Sequence, residues 1–195
     1  MADPVLESFV CQVHADASTF ADGVTKEEAY AQVLDQAEAL FDGQRNWVRR
    51  ALRGGGRGNL ANTASLLWHA YKSLPAPAAE VNWAGFYVLD PKVPDQLILG
   101  PFSGQVACQT IRFNRGVCGA AAATKTTQLV PDVEKFPGHI ACDGASQSEI
   151  VIPILVDGDV KAIIDVDCAV KDGFNEVDRL WLEKLAKLLG SACDW

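Results

Sequence analysis

The sequence lacks the patterns that mark membrane, secreted and nucleic-acid-binding proteins. No segment is apolar over the length of a membrane span, and no run of lysine and arginine occurs. The net charge of -8 disfavours a nucleic-acid or anionic-membrane surface. The N-terminus has neither a basic start nor a long apolar core, so a secretory signal is not predicted. The cytoplasm is therefore the expected compartment, and thiols there are mostly reduced.

Common binding motifs are also missing. The six cysteines contain no Cys-x-x-Cys pair, which disfavours a structural zinc site. His139 and Cys142 are three residues apart and could form half of a metal site, but the sequence offers no convincing second pair. Gly54–Gly58 follows no predicted strand and precedes no Lys-Ser or Lys-Thr, so it indicates a flexible loop and not a phosphate loop. No internal repeat is found.

Hydrophobic periodicity predicts helices at both ends of the chain with strands between them. A capping box at Thr25 and Glu28 starts the first helix, and Leu60–Leu74 forms the second. Asn175 caps a last helix that runs through Leu189. The predicted strands are Val81–Leu89, Gln96–Leu99, Val106–Phe113, Glu149–Val156 and Val160–Asp167. The fold class is therefore α+β, with a central, mainly antiparallel sheet flanked by the terminal helices.

Half of the cysteines lie in one stretch, residues 105–142. Cys108 falls within a predicted strand, and Cys142 lies in a polar loop. Cys118 directly precedes Gly119–Ala123, a predicted helix whose N-terminal dipole should lower the pKa of the thiol. The other cysteines are given no redox role, since a buried free cysteine is commonly a small hydrophobic residue: Cys11, Cys168 and Cys193.

Two further groups of side chains suggest a ligand. Asp165 and Asp167 share one strand face, and Glu149 opens the preceding strand. Carboxylates on an apolar strand are costly unless they bind something, such as an ammonium group, or lie at strand ends in water. Crowding raises the pKa of one carboxyl group, which could then donate a proton. Trp83 and Tyr87 also share a face, either as core residues or as an apolar cage.

A shared pocket for the three acids requires an irregular hairpin. A regular turn at Asp-Gly pairs Val156 with Asp159, and Glu149 then lies opposite Val166, on the wrong face. If the strand pairing shifts by one residue, Glu149 lies on the same face as the two aspartates. We therefore predict a bulge or longer loop near Gly158, or a break of the strand close to Glu149.

The segments GVCGAAAAT, FPGHIACD, SEIVIPI and GDVKAIIDVDC resemble a GAF domain and, more narrowly, the free methionine-(R)-sulfoxide reductases. The resemblance extends from about Thr25 to the C-terminus. It implies one GAF-like domain over residues 25–195 after an N-terminal extension, residues 1–24. Its most specific part is the spacing of the three central cysteines, together with the three acids.

The resemblance also implies roles for the cysteines. Cys142 would attack the sulfur of free L-methionine-(R)-sulfoxide, Cys118 would resolve the sulfenic acid as a disulfide, and Cys108 would be an auxiliary resolving thiol. A thioredoxin-type protein would then reduce the disulfide. Position alone instead favours Cys118 as the nucleophile, because of the helix terminus.

The remaining site residues follow from the same resemblance. The ammonium would be bound, and the sulfoxide oxygen protonated, by Glu149, Asp165 and Asp167. The methyl end would be walled by Trp83 and Tyr87. The family's sulfoxide chemistry needs no metal or organic cofactor.

Two other functions stay open at this point. One is a non-catalytic GAF module that binds a nucleotide or small ligand, and the other is a thiol redox sensor. A homodimer is one assembly open to the chain, but the sequence determines neither the oligomeric state nor the physiological reductant.

Overall fold

The structure is a computed structural model that describes residues 19–43, 45, 58–139 and 144–195. Cys11, Cys142 and residues 54–57 of the predicted glycine loop lie outside the described residues, as does most of the predicted extension. The helices are α1 (Lys26–Phe41), α2 (Asn59–Ser73), α3 (Gly116–Thr124) and α4 (Glu176–Ala192). The strands are β1 (Val81–Leu89), β2 (Gln96–Gly104), β3 (Thr110–Arg112), β4 (Gln128–Val130), β5 (Ser148–Val156) and β6 (Asp159–Cys168). In the described part of the chain, no helix is both long enough and apolar enough to cross a membrane.

The strands form one sheet in the order β3-β2-β1-β6-β5-β4. Every pair of neighbouring strands is antiparallel. The predicted α+β class with a central antiparallel sheet between terminal helices is confirmed. The predicted caps also form, since Thr25 with Glu28 and Asn175 with Asp178 each make a capping box.

The two faces of the sheet are covered differently. Helices α1, α2 and α4 pack on one face, where Ala84, Phe86 and Val88 of β1 join the larger apolar core. Trp83 and Tyr87 alternate with these residues and join a smaller cluster with α3 on the other face. The cavity that holds the predicted site lies on this second face.

The segment around Cys108 differs from the prediction. The predicted strand Val106–Phe113 is wrong over most of its length, since only Thr110–Arg112 pairs with β2. The register of β2 against β1 shifts between Leu99 and Phe102, where Pro101 has no N–H to donate to a neighbour. The sequence pattern that predicted a strand runs from Val106 to Phe113, but the facing part of β2 is irregular. Strand β3 therefore begins only at Thr110.

Strand β2 is longer than predicted. The register shift between Leu99 and Phe102 does not end it. The strand continues through Gly104, paired with β1. At the end of the chain, α4 extends beyond the predicted Leu189 to Ala192, and Cys193 is its C-cap.

The predicted irregularity of the β5–β6 hairpin is confirmed. Val156 pairs with Asp159 at the turn, and the register shifts between Leu155 and Ile154, whose partner is Ala162. One extra residue therefore lies in β6, and every pairing beyond it moves by one. Glu149 consequently pairs with Asp167 and not with Val166.

Candidate active site

Three neighbouring strands bring the acids together. Glu149 on β5 lies opposite Asp167 on β6, which in turn lies opposite Trp83 on β1. Asp165 is one step along the same face of β6. Glu149 is 6% exposed and Asp165 is 5% exposed, so two carboxyl groups are nearly removed from water. The sequence prediction that the three acids share a face is confirmed.

The aromatic residues form a wall beside these acids. The ring of Trp83 stacks between the rings of Tyr87 and Phe102, at centroid distances of 5.8 Å and 5.2 Å. Gly85 lies directly opposite Asp165 in the sheet. A Cβ at Gly85 would clash with Phe102 and lie 2.8 Å from the indole Cη2 of Trp83. The missing side chain therefore allows the rings to close over β1.

The same two β1 side chains hold the segment that contains Cys108. Trp83 donates its Nε1–H to the carbonyl of Gln105 at 3.1 Å, and the hydroxyl of Tyr87 donates to the carbonyl of Cys108 at 3.1 Å. These bonds replace ladder bonds that a strand would have made. Burial and then Asp165 raise the pKa of Tyr87, which keeps the donating proton in place.

A cavity of about 290 Å³ lies between this wall, the acids and the first turn of α3. Its size suits one small ligand. Its lining includes every described residue of the predicted site: Trp83, Tyr87, Cys108, Cys118, Glu149, Asp165 and Asp167. Cys142 is outside the described residues, so its placement stays a prediction.

The prediction of a lowered pKa at Cys118 is wrong. Cys118 is the third residue of α3, as the helix terminus argument required. Burial raises the pKa of its thiol well above the usual value, and the carboxyl groups of Asp165 and Glu149 raise it further. Its Sγ is 3.5 Å from Oε1 of Glu149. The dipole of a short helix supplies only partial charges. At Cys118 the loss of hydration and the two carboxyl groups change the thiol pKa more than the dipole does.

The pKa values of the carboxyl groups are raised as well. Burial raises the pKa of Glu149 well above its ordinary value, and Asp165 and Asp167 add to the shift. Burial also raises the pKa of Asp165 to about 6. Both carboxyl groups therefore keep their protons to a higher pH than free carboxyl groups do, and crowding contributes to this at Glu149 as the sequence predicted.

Cys118, Glu149 and Asp165 are close enough together to contact one cation. Each offers one sulfur or oxygen atom, and these atoms lie within 4.8 Å of one another. Oδ1 of Asp165 has no hydrogen-bond partner among the described residues, although it is buried. A buried unpaired carboxyl oxygen in a cavity is explained by a ligand that donates to it. A metal ion or an ammonium group could occupy such a site.

His139 is a site residue whose position the sequence did not reveal. Its Nε2 is 3.9 Å from Oε2 of Glu149. Burial lowers the pKa of His139, while that of Glu149 is raised, so both groups favour their neutral forms. Phe102 was also missed, because it lies beyond Leu99, where the predicted strand ended. The only signal for His139 was its spacing from Cys142.

The described cysteines differ in bonding state. Cys118, Cys168 and Cys193 are free and buried, whereas Cys108 is disulfide-bonded. Cys168 and Cys193 belong to the large core on the opposite face of the sheet. Their assignment as small core residues agrees with this position.

Comparison with known proteins identifies the family. The family model of the GAF domain matches residues 24–194. The free methionine-R-sulfoxide reductase of Saccharomyces cerevisiae is 53% identical over 181 residues, which cover 92% of this chain and 94% of the yeast protein.

Solved structures agree with this relative. A GAF domain structure is 51% identical, with a TM-score of 0.85 over 96% of this chain and all of that one, 100%. The free methionine-R-sulfoxide reductase of Neisseria meningitidis, solved in complex with its substrate, is 38% identical with a TM-score of 0.76, covering 89% of this chain and 93% of that one. The chain therefore belongs to the GAF domain family and, within it, to the free methionine-R-sulfoxide reductases.

Proposed function

We propose that this protein reduces free L-methionine-(R)-sulfoxide to methionine with its own thiols. The observation that carries the proposal is the buried, unpartnered Oδ1 of Asp165 in a cavity that also holds Glu149 and two cysteines. The relatives from yeast and Neisseria meningitidis are named for the same activity. An acidic cavity beside thiols fits a small substrate that carries an ammonium group and is reduced there.

The acids serve two purposes in this proposal. The substrate ammonium donates to Glu149, Asp165 and Asp167, which offsets the cost of burying the carboxyl groups. A carboxyl group with a raised pKa keeps its proton to a higher pH than usual, and it delivers this proton to the sulfoxide oxygen. The rings of Trp83 and Tyr87 contact the methyl end of the substrate.

The chemistry needs two electrons from thiols. The thiolate of Cys142 attacks the sulfoxide sulfur, the oxygen is protonated, and methionine leaves as the oxygen passes to Cys142 as a sulfenic acid. A second thiol attacks this sulfur, a disulfide forms and water is released. A thioredoxin-type dithiol protein reduces the disulfide and is itself oxidised.

The second thiol is best assigned to Cys108. Cys108 is disulfide-bonded, whereas Cys118 is free. The raised pKa of Cys118 also leaves little thiolate for a fast attack. This revises the order that the family resemblance implied, in which Cys118 resolves and Cys108 is auxiliary. Cys118 then remains a neutral neighbour of Glu149.

A single-turnover assay tests the cysteine roles. Each variant is fully reduced, freed of reductant and mixed with excess free sulfoxide, and the methionine released is counted. Cys142→Ser should release none. Cys108→Ser should release about one methionine per chain and then fail to turn over with a thioredoxin system, because the sulfenic acid forms before it is resolved. Cys118→Ser should continue to turn over, and Cys168→Ser is the matched control.

Other outcomes of this assay would contradict the proposal. Methionine release by Cys142→Ser would remove Cys142 as the nucleophile. Stalling of Cys118→Ser, with turnover by Cys108→Ser, would return the resolving role to Cys118. If the intact protein reduces no sulfoxide, a thiol sensor or a non-catalytic ligand-binding domain becomes the better interpretation.

A further inference from the structure

The thiol of Cys118 lies in the cavity but has no part in the proposed chemistry. Cys118 is free and 6% exposed, and its Sγ is 3.5 Å from Oε1 of Glu149. A buried thiol commonly packs among apolar side chains. Here Glu149 and Asp165 each place an oxygen within 4.8 Å of the sulfur and of each other. A bound ammonium group accounts for the two acids but not for the sulfur beside them.

The spacing of these three atoms fits direct coordination of one metal ion. Zinc binds sulfur at about 2.3 Å and carboxylate oxygen at about 2.0–2.2 Å, so the ligand atoms of a tetrahedral site lie roughly 3.3–3.8 Å apart. The sulfur of Cys118 and the oxygen of Glu149, 3.5 Å apart, already have this separation. Since all three atoms lie within 4.8 Å of one another, small side-chain rotations complete the set.

The unpaired oxygen of Asp165 is a second observation, independent of the spacing. Asp165 is 5% exposed and lines the cavity, and its Oδ1 has no hydrogen-bond partner among the described residues. A buried polar atom of this kind points to a ligand. A divalent cation also offsets the repulsion among Asp165, Glu149 and Asp167, which all line the cavity. The coordinated thiol releases its proton to water as the ion binds.

The donor set indicates which ion would bind. Mg²⁺ and Ca²⁺ prefer oxygen ligands, whereas a thiolate with carboxylates suits zinc. Three protein ligands leave a fourth position for water, as in zinc sites that bind small molecules. His139 supports the site from outside: its Nε2 is 3.9 Å from Oε2 of Glu149, the oxygen that is not bonded to Cys118. A histidine at the second oxygen restrains the orientation of the ligating carboxylate.

We propose that Cys118, Glu149 and Asp165 form an inhibitory zinc site in the cavity. The metal site goes beyond the proposed function, and its inhibitory effect rests on that function. Zinc and the substrate ammonium require the same two carboxyl groups, so the zinc-bound protein does not bind substrate. Removal of the ion by a chelating molecule opens the cavity again.

The test uses Co²⁺, which occupies the same tetrahedral sites as zinc and gives an absorption band when a thiolate is bound. The reference protein is the full chain with Cys108→Ser and Cys142→Ser, because this removes both thiols of the proposed redox chemistry. Anaerobic titration should produce the thiolate–cobalt band at one ion per chain, and Zn²⁺ should displace it. Addition of Cys118→Ser should remove the band. Addition of Cys168→Ser, a buried thiol on the other face of the sheet, should retain it.

A carboxylate variant tests the same site with the thiol in place. Asp165→Asn in the reference protein should weaken cobalt binding by at least about tenfold, since even the loss of an outer-shell partner costs about 10–100-fold in affinity. This variant also decides the proposal if the Cys118→Ser protein does not fold. Asp159→Asn is the matched control, because Asp159 lies on the same strand with its side chain 72% exposed. It should leave cobalt binding unchanged.

Each part of the inference has its own contrary result. The site is refuted if the reference protein gives no band with cobalt in large excess, or if the band survives Cys118→Ser. L-methionine should lower the affinity for cobalt, because its ammonium uses the same carboxyl groups. If L-methionine has no effect on cobalt binding, inhibition is refuted while the site stands. If the metal-free intact protein reduces no sulfoxide, the proposed function fails, and the cobalt titration still decides the metal site.

Discussion

At the scale of single residues, the site is costly to the folded state. Asp165 is 5% exposed, and its Oδ1 has no partner among the described residues. Burial raises its pKa from 3.8 to about 6. Between these two values the folded protein keeps a proton that the unfolded chain releases, so stability falls as the pH rises through this window. Above it the penalty is fully present.

Asp165→Asn should therefore make the protein more stable and less active. At pH 8 we expect a gain in the free energy of unfolding of up to about 3 kcal/mol, since each pKa unit corresponds to roughly 1.4 kcal/mol. The gain should vanish below about pH 4, where aspartate is protonated in both states. Turnover of free methionine sulfoxide should fall by at least about tenfold, because a charged partner of the ammonium is removed.

Urea unfolding at pH 8 and at pH 4, with kcat/KM at pH 8, measures this prediction. Asp159→Asn is the matched control, because Asp159 lies on the same strand with its side chain 72% exposed. It should change neither quantity. A loss of stability of Asp165→Asn at pH 8 would contradict the account of the buried carboxyl group.

At the scale of the elements, the cavity depends on how closely β1 and β2 approach. Gly85 pairs with Phe102 on one side and with Asp165 on the other. A Cβ at Gly85 would meet the Cα and Cβ of Phe102 and the indole ring of Trp83. These atoms belong to a paired strand and a stacked ring, so they cannot move away cheaply.

Gly85→Ala should displace the aromatic wall. Overpacking costs roughly 1–3 kcal/mol of stability. The larger effect should be on catalysis, since a shift of about 1 Å in a positioning side chain can lower a rate on the order of a hundredfold. Melting temperature and kcat/KM are the measurements.

Gly144→Ala is the comparison for this change. No atom of the described residues lies within 4 Å of the Cβ position at Gly144, so both quantities should stay near the wild type. An active Gly85→Ala with an unchanged melting temperature would show that the rings do not depend on Gly85.

At the scale of the whole molecule, one face of the sheet carries the cavity and the other carries the large core. The face opposite the cavity is joined by a polar network within the large core. Asp178 of α4 is fully buried and accepts from Nζ of Lys26 at 2.7 Å and from the hydroxyl of Tyr30 at 2.9 Å, both on α1. The hydroxyl of Tyr30 is in turn bonded to that of Tyr71 on α2. Three helices are thus connected through one carboxylate.

Asp178→Ala should reduce stability without changing the chemistry. Removing one partner of a buried ion pair typically costs about 3–5 kcal/mol. Lys26 is still 18% exposed at its side chain, so we expect the lower end of that range, about 3 kcal/mol. The rate per folded molecule should be unchanged, because the network is separated from the cavity by the sheet. Urea unfolding and active-site-normalised kcat measure the two effects.

Tyr71→Phe provides the graded comparison. It removes one neutral hydroxyl from the network, which should cost about 1 kcal/mol. A variant at Asp178 that lowers kcat per folded molecule would show that the two faces are coupled.

The sequence by itself determined the local features that depend on near neighbours. The capping boxes at Thr25 and Asn175 and the α+β class follow from periodicity and from side chains a few residues apart. Counting residues also predicted an irregular hairpin, because side chains alternate with period two and a shared pocket requires Glu149 to face the aspartates. The structure decided between the two predicted places, with the shift near the turn and not close to Glu149. The family resemblance added the candidate roles of the cysteines, which remain proposals.

Only the tertiary structure decided what depends on distant segments. The direction of the pKa shift at Cys118 reversed because the fold buries the thiol, and strands β5 and β6 bring Asp165 and Glu149 against the helix terminus. The strand predicted around Cys108 was lost because its partner β2 is irregular beyond Leu99. Burial and the distance between charges depend on all residues nearby in space. The periodicity of a single segment does not show which residues those are.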